Sequence, residues 1–233
     1  MSTPRVAIIG YGLAGRTFHS NLLKGAGFEI AAVMLASENR RDQVLSDFPK
    51  AVVVSTVKEI IALRPDLVVV ASPNSFHAPQ AIELLKAKIP VVVDKPMGLN
   101  ARETEEIIKV SESEGVPVTV FFNRRWDSDA LTIKKVLASG VLGEIHRIDS
   151  RFERFRPELN ATSWRENMSA SDGGGQLLDL QPHLISTALD WFGPAQLISA
   201  SVQAIRGGSD DDIVLTLKHQ SGVDSYLSAS AIM

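Results

Sequence analysis

The sequence predicts a doubly wound parallel α/β sheet over residues 1–122, followed by an α+β domain with a largely antiparallel, open sheet over residues 123–233. Three observations carry this prediction. Continuous apolar runs recur at residues 6–9, 30–35, 52–54, 67–71, 91–93 and 116–122. Segments of helical period lie between them, such as Ala81-Ile82, Leu84-Leu85 and Ala87. Beyond Phe122 the rhythm changes to longer strands with mixed faces and two helical segments. Apolar runs without a period of two are strands covered on both faces. Strands that alternate with helices build βαβ units.

The first run leads into Gly10-Tyr11-Gly12-Leu13-Ala14-Gly15, a G-x-G-x-x-G turn that opens a predicted helix over 13–24. A strand before and a helix after is the context in which this spacing binds a dinucleotide. Gly10 permits the tight turn, Gly12 lets the backbone approach a pyrophosphate, and Gly15 lets helix and strand pack closely. The helix start at Leu13 and Ala14 then offers N–H groups to the phosphates. An NAD-selective site carries Asp or Glu about 20 residues further on. This chain has Met34-Leu35-Ala36-Ser37 there, followed by Glu38-Asn39-Arg40-Arg41. Ser37, Arg40 and Arg41 suit a 2′-phosphate, which favours NADP, while Glu38 keeps NAD open.

The run at 67–71 ends in Ser72-Pro73-Asn74-Ser75-Phe76-His77, and Ser72, Pro73, Asn74 and His77 are candidates for cofactor contact. The run at 91–93 ends in Asp94-Lys95-Pro96 at the same carboxyl edge, where ligands bind in open α/β sheets. Asp94 and Lys95 join the cofactor candidates. A lysine there can also donate a hydrogen bond to a substrate hydroxyl or hold its proton.

In the second half, a helix is expected over 129–138 and a long strand over 144–156. Residues 157–175 have little periodicity and end in Gly173-Gly174-Gly175. A helix over 177–192 and strands over 195–206, 213–218 and 223–231 follow, with Asp210-Asp211-Asp212 and Ser221-Gly222 read as turns. Asp179 and His183 stand four apart, so on one helix they share a face and can hydrogen-bond. An acid beside a histidine raises its basicity and fixes its orientation, which suits proton transfer from an alcohol. Pro182 places a helix start or a kink near Asp179.

Composition narrows the classes. The chain carries 24 Lys+Arg against 27 Asp+Glu, without a long run of like charge, which excludes a basic nucleic-acid binder. The absence of cysteine removes disulfides, thiolate metal sites and a Cys nucleophile. No third His or acid stands at metal-ligand spacing beside Asp179 and His183, so no metal is expected. No apolar run approaches the about 18 residues of a membrane span, and the N-terminal run is too short for a signal-peptide core. A cytoplasmic protein is expected.

Together these segments resemble the glucose–fructose oxidoreductase / inositol dehydrogenase / MocA family of dehydrogenases, along the whole chain. The carriers are the glycine turn, Ala71 to His77, Asp94-Lys95-Pro96, Asn123-Arg124-Arg125-Trp126 and Gly175 to His183. Asn123 to Asp127, Phe155-Arg156-Pro157 and Trp164-Arg165-Glu166 are most similar to the branch of NADP-dependent scyllo-inositol dehydrogenases. The resemblance implies a Rossmann domain, a second domain whose open sheet forms a homo-oligomer interface, and a hydride passed between nicotinamide and a secondary alcohol of a sugar or cyclic polyol. It matches Lys95 to the family's catalytic lysine and Asp179 and His183 to its acid and histidine. His183 would take the hydroxyl proton, Lys95 would hydrogen-bond the oxygen, and Asp179 would orient both or bind a neighbouring hydroxyl. Arg124, Arg151, Arg154, Arg156 and Trp164 are expected to shape specificity.

The chain departs from the family pattern in two places. Asp94 replaces the usual Glu, and Gln181-Pro182 stands where small residues, often Gly with Ser or Pro, are usual. The family's lysine–proline bond is often cis, which is expected for Lys95–Pro96. Two rivals remain open: a regulatory protein of the same fold that binds nucleotide without turnover, and a glycosidase using a bound nicotinamide for transient oxidation. Relatives usually continue for on the order of 100 more residues, as second-domain sizes allow. The second domain is therefore expected to be incomplete at its C-terminus.

Overall fold

Parallel strands β1 (Arg5–Ile9), β2 (Glu29–Met34), β3 (Val52–Val54), β4 (Leu67–Val70), β5 (Val91–Asp94) and β6 (Val118–Phe121) make one sheet in a computed structural model that describes residues 3–233. Their order is β3-β2-β1-β4-β5-β6. Connections leave β1 in both directions, so the crevice at the carboxyl ends of β1 and β4 is the topological switch point where such sheets bind ligands. The chain divides into two units, one ending at Phe121 and the next beginning at Phe122.

Burial explains the continuous apolar runs. On β1, Ala7 and Ile9 join one core cluster with Val68, Val70, Val91 and Val93. Val6 and Ile8 face the opposite cluster with Ile30, Val33 and Val69. Both faces are therefore covered, and polar alternation has no place to appear. Helix α1 (Ser20–Gly25), α2 (Arg41–Asp47), α3 (Val57–Ala62), α4 (His77–Lys86) and α5 (Ala101–Glu114) supply the cover. Helix α4 buries Ala81, Leu84 and Leu85 on one stripe. Helix α3 opens on a capping box, in which the Thr56 hydroxyl accepts from the Glu59 N–H while Glu59 accepts from the Thr56 N–H.

The helix expected over 13–24 takes a different form. Its first turns, Ala14–His19, are π-helical, and α1 follows directly. Within the wider turns Gly15 and His19 are the buried positions, with Ser20 next to them.

The second unit holds α6 (Ser128–Ala138), β7 (Arg147–Glu153), the single turn α7 (Trp164–Asn167), α8 (Gln176–Asp179), α9 (Gln181–Phe192), β8 (Ala195–Gln203), β9 (Asp212–His219) and β10 (Asp224–Ser230). The sheet order is β7-β10-β9-β8. It is mixed: β8, β9 and β10 are antiparallel neighbours, whereas β7 runs parallel to β10. A parallel neighbour requires a long crossover, and the segment carrying α7 to α9 provides it. The core packs Leu184 and Ala188 of α9 on Ile213, Leu215, Leu227 and Ala229.

One expectation for this unit is met and one needs correction. The helix expected over 177–192 is broken at Leu180, because Pro182 has no N–H to give and occupies the first turn of a new helix. Asp210-Asp211-Asp212 is not a solvated turn. Asp211 is fully buried and accepts from the Ile205 N–H (2.7 Å), the Arg206 N–H (3.0 Å) and the Arg206 Nε (2.9 Å). The Arg206 guanidinium, also buried, continues to the Arg156 carbonyl (2.8 Å) and the Glu166 carboxylate (3.1 Å). Asp210 accepts from the Leu177 N–H (2.7 Å), and its carbonyl accepts from the Gln176 N–H (2.9 Å), satisfying the start of α8. These contacts anchor the aperiodic 157–175 stretch to the β8–β9 connection. The glycines of that stretch are steric requirements. A Cβ on Gly174 would stand 2.0 Å from the Met168 carbonyl, and one on Gly175 (φ +92) would stand 1.8 Å from the Asp210 carboxylate.

Burial alone would raise the Asp211 carboxyl; the hydrogen bonds from Arg206 and Ile205 outweigh it and hold the group below the usual carboxylate range. A depressed folded-state value contributes stability that is complete above about pH 4 and lost as pH falls through the lower, folded value. Asp211→Asn is expected to cost about 1–3 kcal/mol at neutral pH, since it removes one of the two carboxylates on the buried Arg206 guanidinium and leaves Glu166 alone to balance it. It should also flatten the acid limb of stability. Urea unfolding across an acid pH series measures both.

Candidate active site

The glycine turn follows β1 directly. Gly10 has φ +90, and a Cβ there would stand 2.6 Å from the Ala71 carbonyl oxygen. A Cβ on Gly15 would stand 2.0 Å from the Gly10 carbonyl oxygen. Gly10 and Gly15 are therefore required by the chain's own packing. Gly12 differs: no protein atom lies within 4 Å of the position its Cβ would take. Steric demand within the chain therefore does not account for a glycine there, and the space beside it is open.

Side chains brace the turn from outside. The Tyr11 hydroxyl donates to Asp47 (2.8 Å), and the Arg16 Nε donates to the same carboxylate oxygen (2.8 Å). Burial and the Asp47 hydrogen bond push the Tyr11 hydroxyl up to about 12, so it stays a donor. Among the residues expected to select the cofactor, Arg40 donates to the Tyr11 carbonyl (2.7 Å), which fixes its guanidinium beside the turn. Ser37 is exposed and donates to Asn39 (2.7 Å). Arg41 and Glu38, both exposed, pair at 3.2 Å.

At the carboxyl end of β5, the Lys95 N–H donates to Asp94 (2.8 Å), and the Lys95–Pro96 peptide bond is cis. Burial pushes the Asp94 carboxyl up, but His19, 3.7 Å away, and Lys95 reverse the direction and hold it below its usual range. His19 carried no signal in the sequence; the π-helical turns that bury it were not legible in the apolar pattern. Ser72 donates to Gln80 (2.7 Å), Pro73 is exposed and Asn74 is buried. His77 must be revised as a cofactor contact. It is 1% exposed, with Nδ1 2.7 Å from the Pro96 carbonyl and Nε2 2.9 Å from the Ser72 carbonyl. Burial holds the ring toward its neutral form. It braces the two turns that carry Ser72 and Lys95.

In the second unit, Asp179 closes α8 and His183 sits in the first turn of α9, on either side of the break at Leu180. Asp179 is 3.3 Å from the Arg165 Nε. His183 is buried, its ring centroid 6.4 Å from that of Phe152. It lines a cavity of about 380 Å³ with Arg124, Asp127, Phe152, Thr187 and Trp191. Arg151 also lines that cavity, while Trp164 opens α7 under the Arg165 guanidinium, 4.3 Å from its ring centroid.

A doubly wound sheet with a glycine turn at its switch point defines a dinucleotide-binding class of protein. Residues 4–122 match the family described as "Oxidoreductase family, NAD-binding Rossmann fold", and residues 130–233 match the "GFO/IDH/MocA C-terminal domain". The chain belongs to the GFO/IDH/MocA family of oxidoreductases. It is 40% identical over 207 residues to an uncharacterized oxidoreductase, YdgJ, of Escherichia coli, covering 88% of this chain and 58% of that one. It is 36% identical over 223 residues to the scyllo-inositol 2-dehydrogenase (NADP(+)) IolW of Bacillus subtilis, covering 94% and 61%. The structure of the oxidoreductase yvaA from Bacillus subtilis superposes with a TM-score of 0.91 at 35% identity, covering all of this chain and 65% of that one. The chain thus spans about three fifths of the length of these curated relatives. Among the described residues, no helix is long and apolar enough to cross a membrane.

The contrast among the glycines is testable by melting. Gly15→Ala is expected to lower Tm by several degrees, as overpacking of about 1–3 kcal/mol would. Gly12→Ala is expected to melt within a degree or two of the parent, since surface changes fall within about 0.5 kcal/mol.

Proposed function

We propose that the protein is an NADP-preferring dehydrogenase acting on a secondary alcohol of a sugar or cyclic polyol. The observation that carries this is the glycine turn at the switch point of the sheet, in which Gly10 and Gly15 answer to the chain's own packing and the space beside Gly12 is open to a ligand's phosphates. When bound, the nicotinamide supplies the hydride acceptor for alcohol oxidation.

Each candidate residue then has a role its surroundings support. The N–H groups at Leu13 and Ala14 and the following turns hold the pyrophosphate. Ser37 and Arg40 hold a 2′-phosphate, with Arg40 already fixed by the Tyr11 carbonyl and Arg41 pairing with Glu38. Asp94 holds the Lys95 backbone, which positions the lysine at the end of β5. The Lys95 ammonium donates to the alcohol oxygen and stabilises its developing negative charge. His183, lining the cavity of the second unit, accepts the hydroxyl proton. Asp179 orients the substrate hydroxyls, itself held by Arg165. Support for the substrate class comes from IolW, a scyllo-inositol 2-dehydrogenase that uses NADP(+). The outward face of the four-stranded sheet exposes Val214 and Tyr226 and is proposed to contact a second copy.

NADP+ reduction at the nicotinamide absorbance band, with a panel of inositols and hexoses, tests the reading. Lys95→Met and His183→Ala are each expected to lower kcat by about 10²–10⁴-fold, the usual worth of a positioned acid or base. Both should still bind NADPH. Gly12→Ala is expected to lose NADPH affinity while keeping its fold. Turnover near the parent level in both catalytic variants contradicts the assignment.

A further inference from the structure

The alternation on β7 changes character as the strand ends. Ile148, Ser150 and Phe152 point to the helix-covered face, the less exposed positions of the strand. The segment stays extended past β7, since the Arg154 N–H donates to the Ser230 carbonyl (2.9 Å) and the Arg156 N–H to the Ala231 carbonyl (2.7 Å). Residues two apart on extended chain share a face. Arg154 and Arg156 therefore continue the row that holds Phe152, the residue packed beside His183.

More cations gather on the same ring. The Arg154 guanidinium lies 4.8 Å from the Phe152 ring centroid, and that of Arg124 lies 5.4 Å from it. The nearby acids are already engaged: Asp127 pairs with Arg124 (2.7 Å), Asp179 with Arg165 (3.3 Å), and Glu166 and Asp211 with Arg206. Glu153 accepts from the Ser228 hydroxyl (2.8 Å). That leaves the Arg154 and Arg156 guanidinia without a carboxylate at ion-pair distance among the described residues. Burial pushes the Arg154 guanidinium down from its ordinary value, the Arg156 and Arg124 charges push the same way, and Asp179 opposes them only in part. A half-buried arginine among like charges is held at a cost that an oxyanion relieves, and guanidinia suit carboxylate and phosphate groups.

We propose that the sugar or polyol taken by this chain is anionic, and that its carboxylate or phosphate sits on Arg154 and Arg156, beside the His183–Phe152 pair. This rests on the reading of His183 and Asp179 as the reactive groups and narrows the substrate class from neutral polyols to uronate-type or phosphorylated ones. Arg154 and Arg156 then determine specificity, and the ring of Phe152 carries the first of them.

The test is binding by the full chain saturated with NADP+, followed by tryptophan fluorescence at low ionic strength. The probes are D-glucuronate, D-glucose 6-phosphate, D-glucose and myo-inositol. At least one anion is expected to bind about tenfold tighter than D-glucose, with a preference that fades as salt is added. Whichever anion does so identifies the group as carboxylate or phosphate. Arg154→Gln, and separately the more exposed Arg156→Gln, are expected to shrink the anion-to-glucose affinity ratio by about tenfold. Equal binding of glucose and both anions, no binding of either anion, or an unchanged ratio in both variants overturns the proposal. Anion preference without any cofactor reduction leaves it standing and removes the dehydrogenase reading. Reduction of NADP+ by neutral polyols without anion preference does the reverse.

Discussion

The Arg206 guanidinium, engaged by Asp211, Glu166 and the Arg156 carbonyl, is the buried charge on which the second unit's irregular segments converge. It ties three segments that have little regular structure of their own. The Arg206–Asp211 segment lies between β8 and β9, Glu166 lies in the short helix of the aperiodic stretch, and Arg156 follows β7. An interior charge of this kind tolerates no missing partner. The pairing therefore fixes one geometry for the stretch, and the glycines at 174 and 175 let the backbone pass close enough for it to form. Asp210 then satisfies the start of α8, and α8 presents Asp179. The geometry of the candidate acid thus traces back to one buried ion cluster.

The first unit relies on a different constraint, backbone contact. Gly10 and Gly15 approach their neighbours at distances no side chain permits, which brings the first helical turns down onto the end of β1. His77 supports the same edge from beneath by standing between the Ser72 and Pro96 carbonyls. Asp94 serves a comparable purpose on β5: it accepts from the Lys95 N–H and stands 3.7 Å from His19. The shorter acid at this position therefore engages its own neighbour, and its hydrogen bond holds the Lys95 backbone.

The legibility of each part in the sequence follows from these physical differences. Strands buried on both faces leave continuous apolar runs, so the parallel sheet and its order of elements could be read from Val6 to Phe121. The glycine spacing placed the turn, and Pro182 marked the break near Asp179. What stayed hidden depends on contacts distant in sequence. Asp210-Asp211-Asp212 has the composition of a surface turn, and only the Arg206 side chain makes a buried anion of it. His77 has the look of a helix-start residue that reaches outward, and its inward role comes from the Pro96 carbonyl 19 positions on. The direction of β7 relative to β10 is set by a crossover whose path carries no periodic signal. The arginines at 154 and 156 were visible as possible specificity residues, but their shared face with Phe152 required the extended backbone.

The central claim is that this chain oxidises an alcohol carbon with a bound nicotinamide. Its most direct measurement uses substrates carrying deuterium on carbon, drawn from inositols, hexoses, uronates and sugar phosphates, with mass analysis of the reduced cofactor after turnover. The account predicts that deuterium from one substrate class appears in NADPH and that its release from carbon slows the reaction. NADP+ bound tightly with no reduction by any of these classes would contradict it.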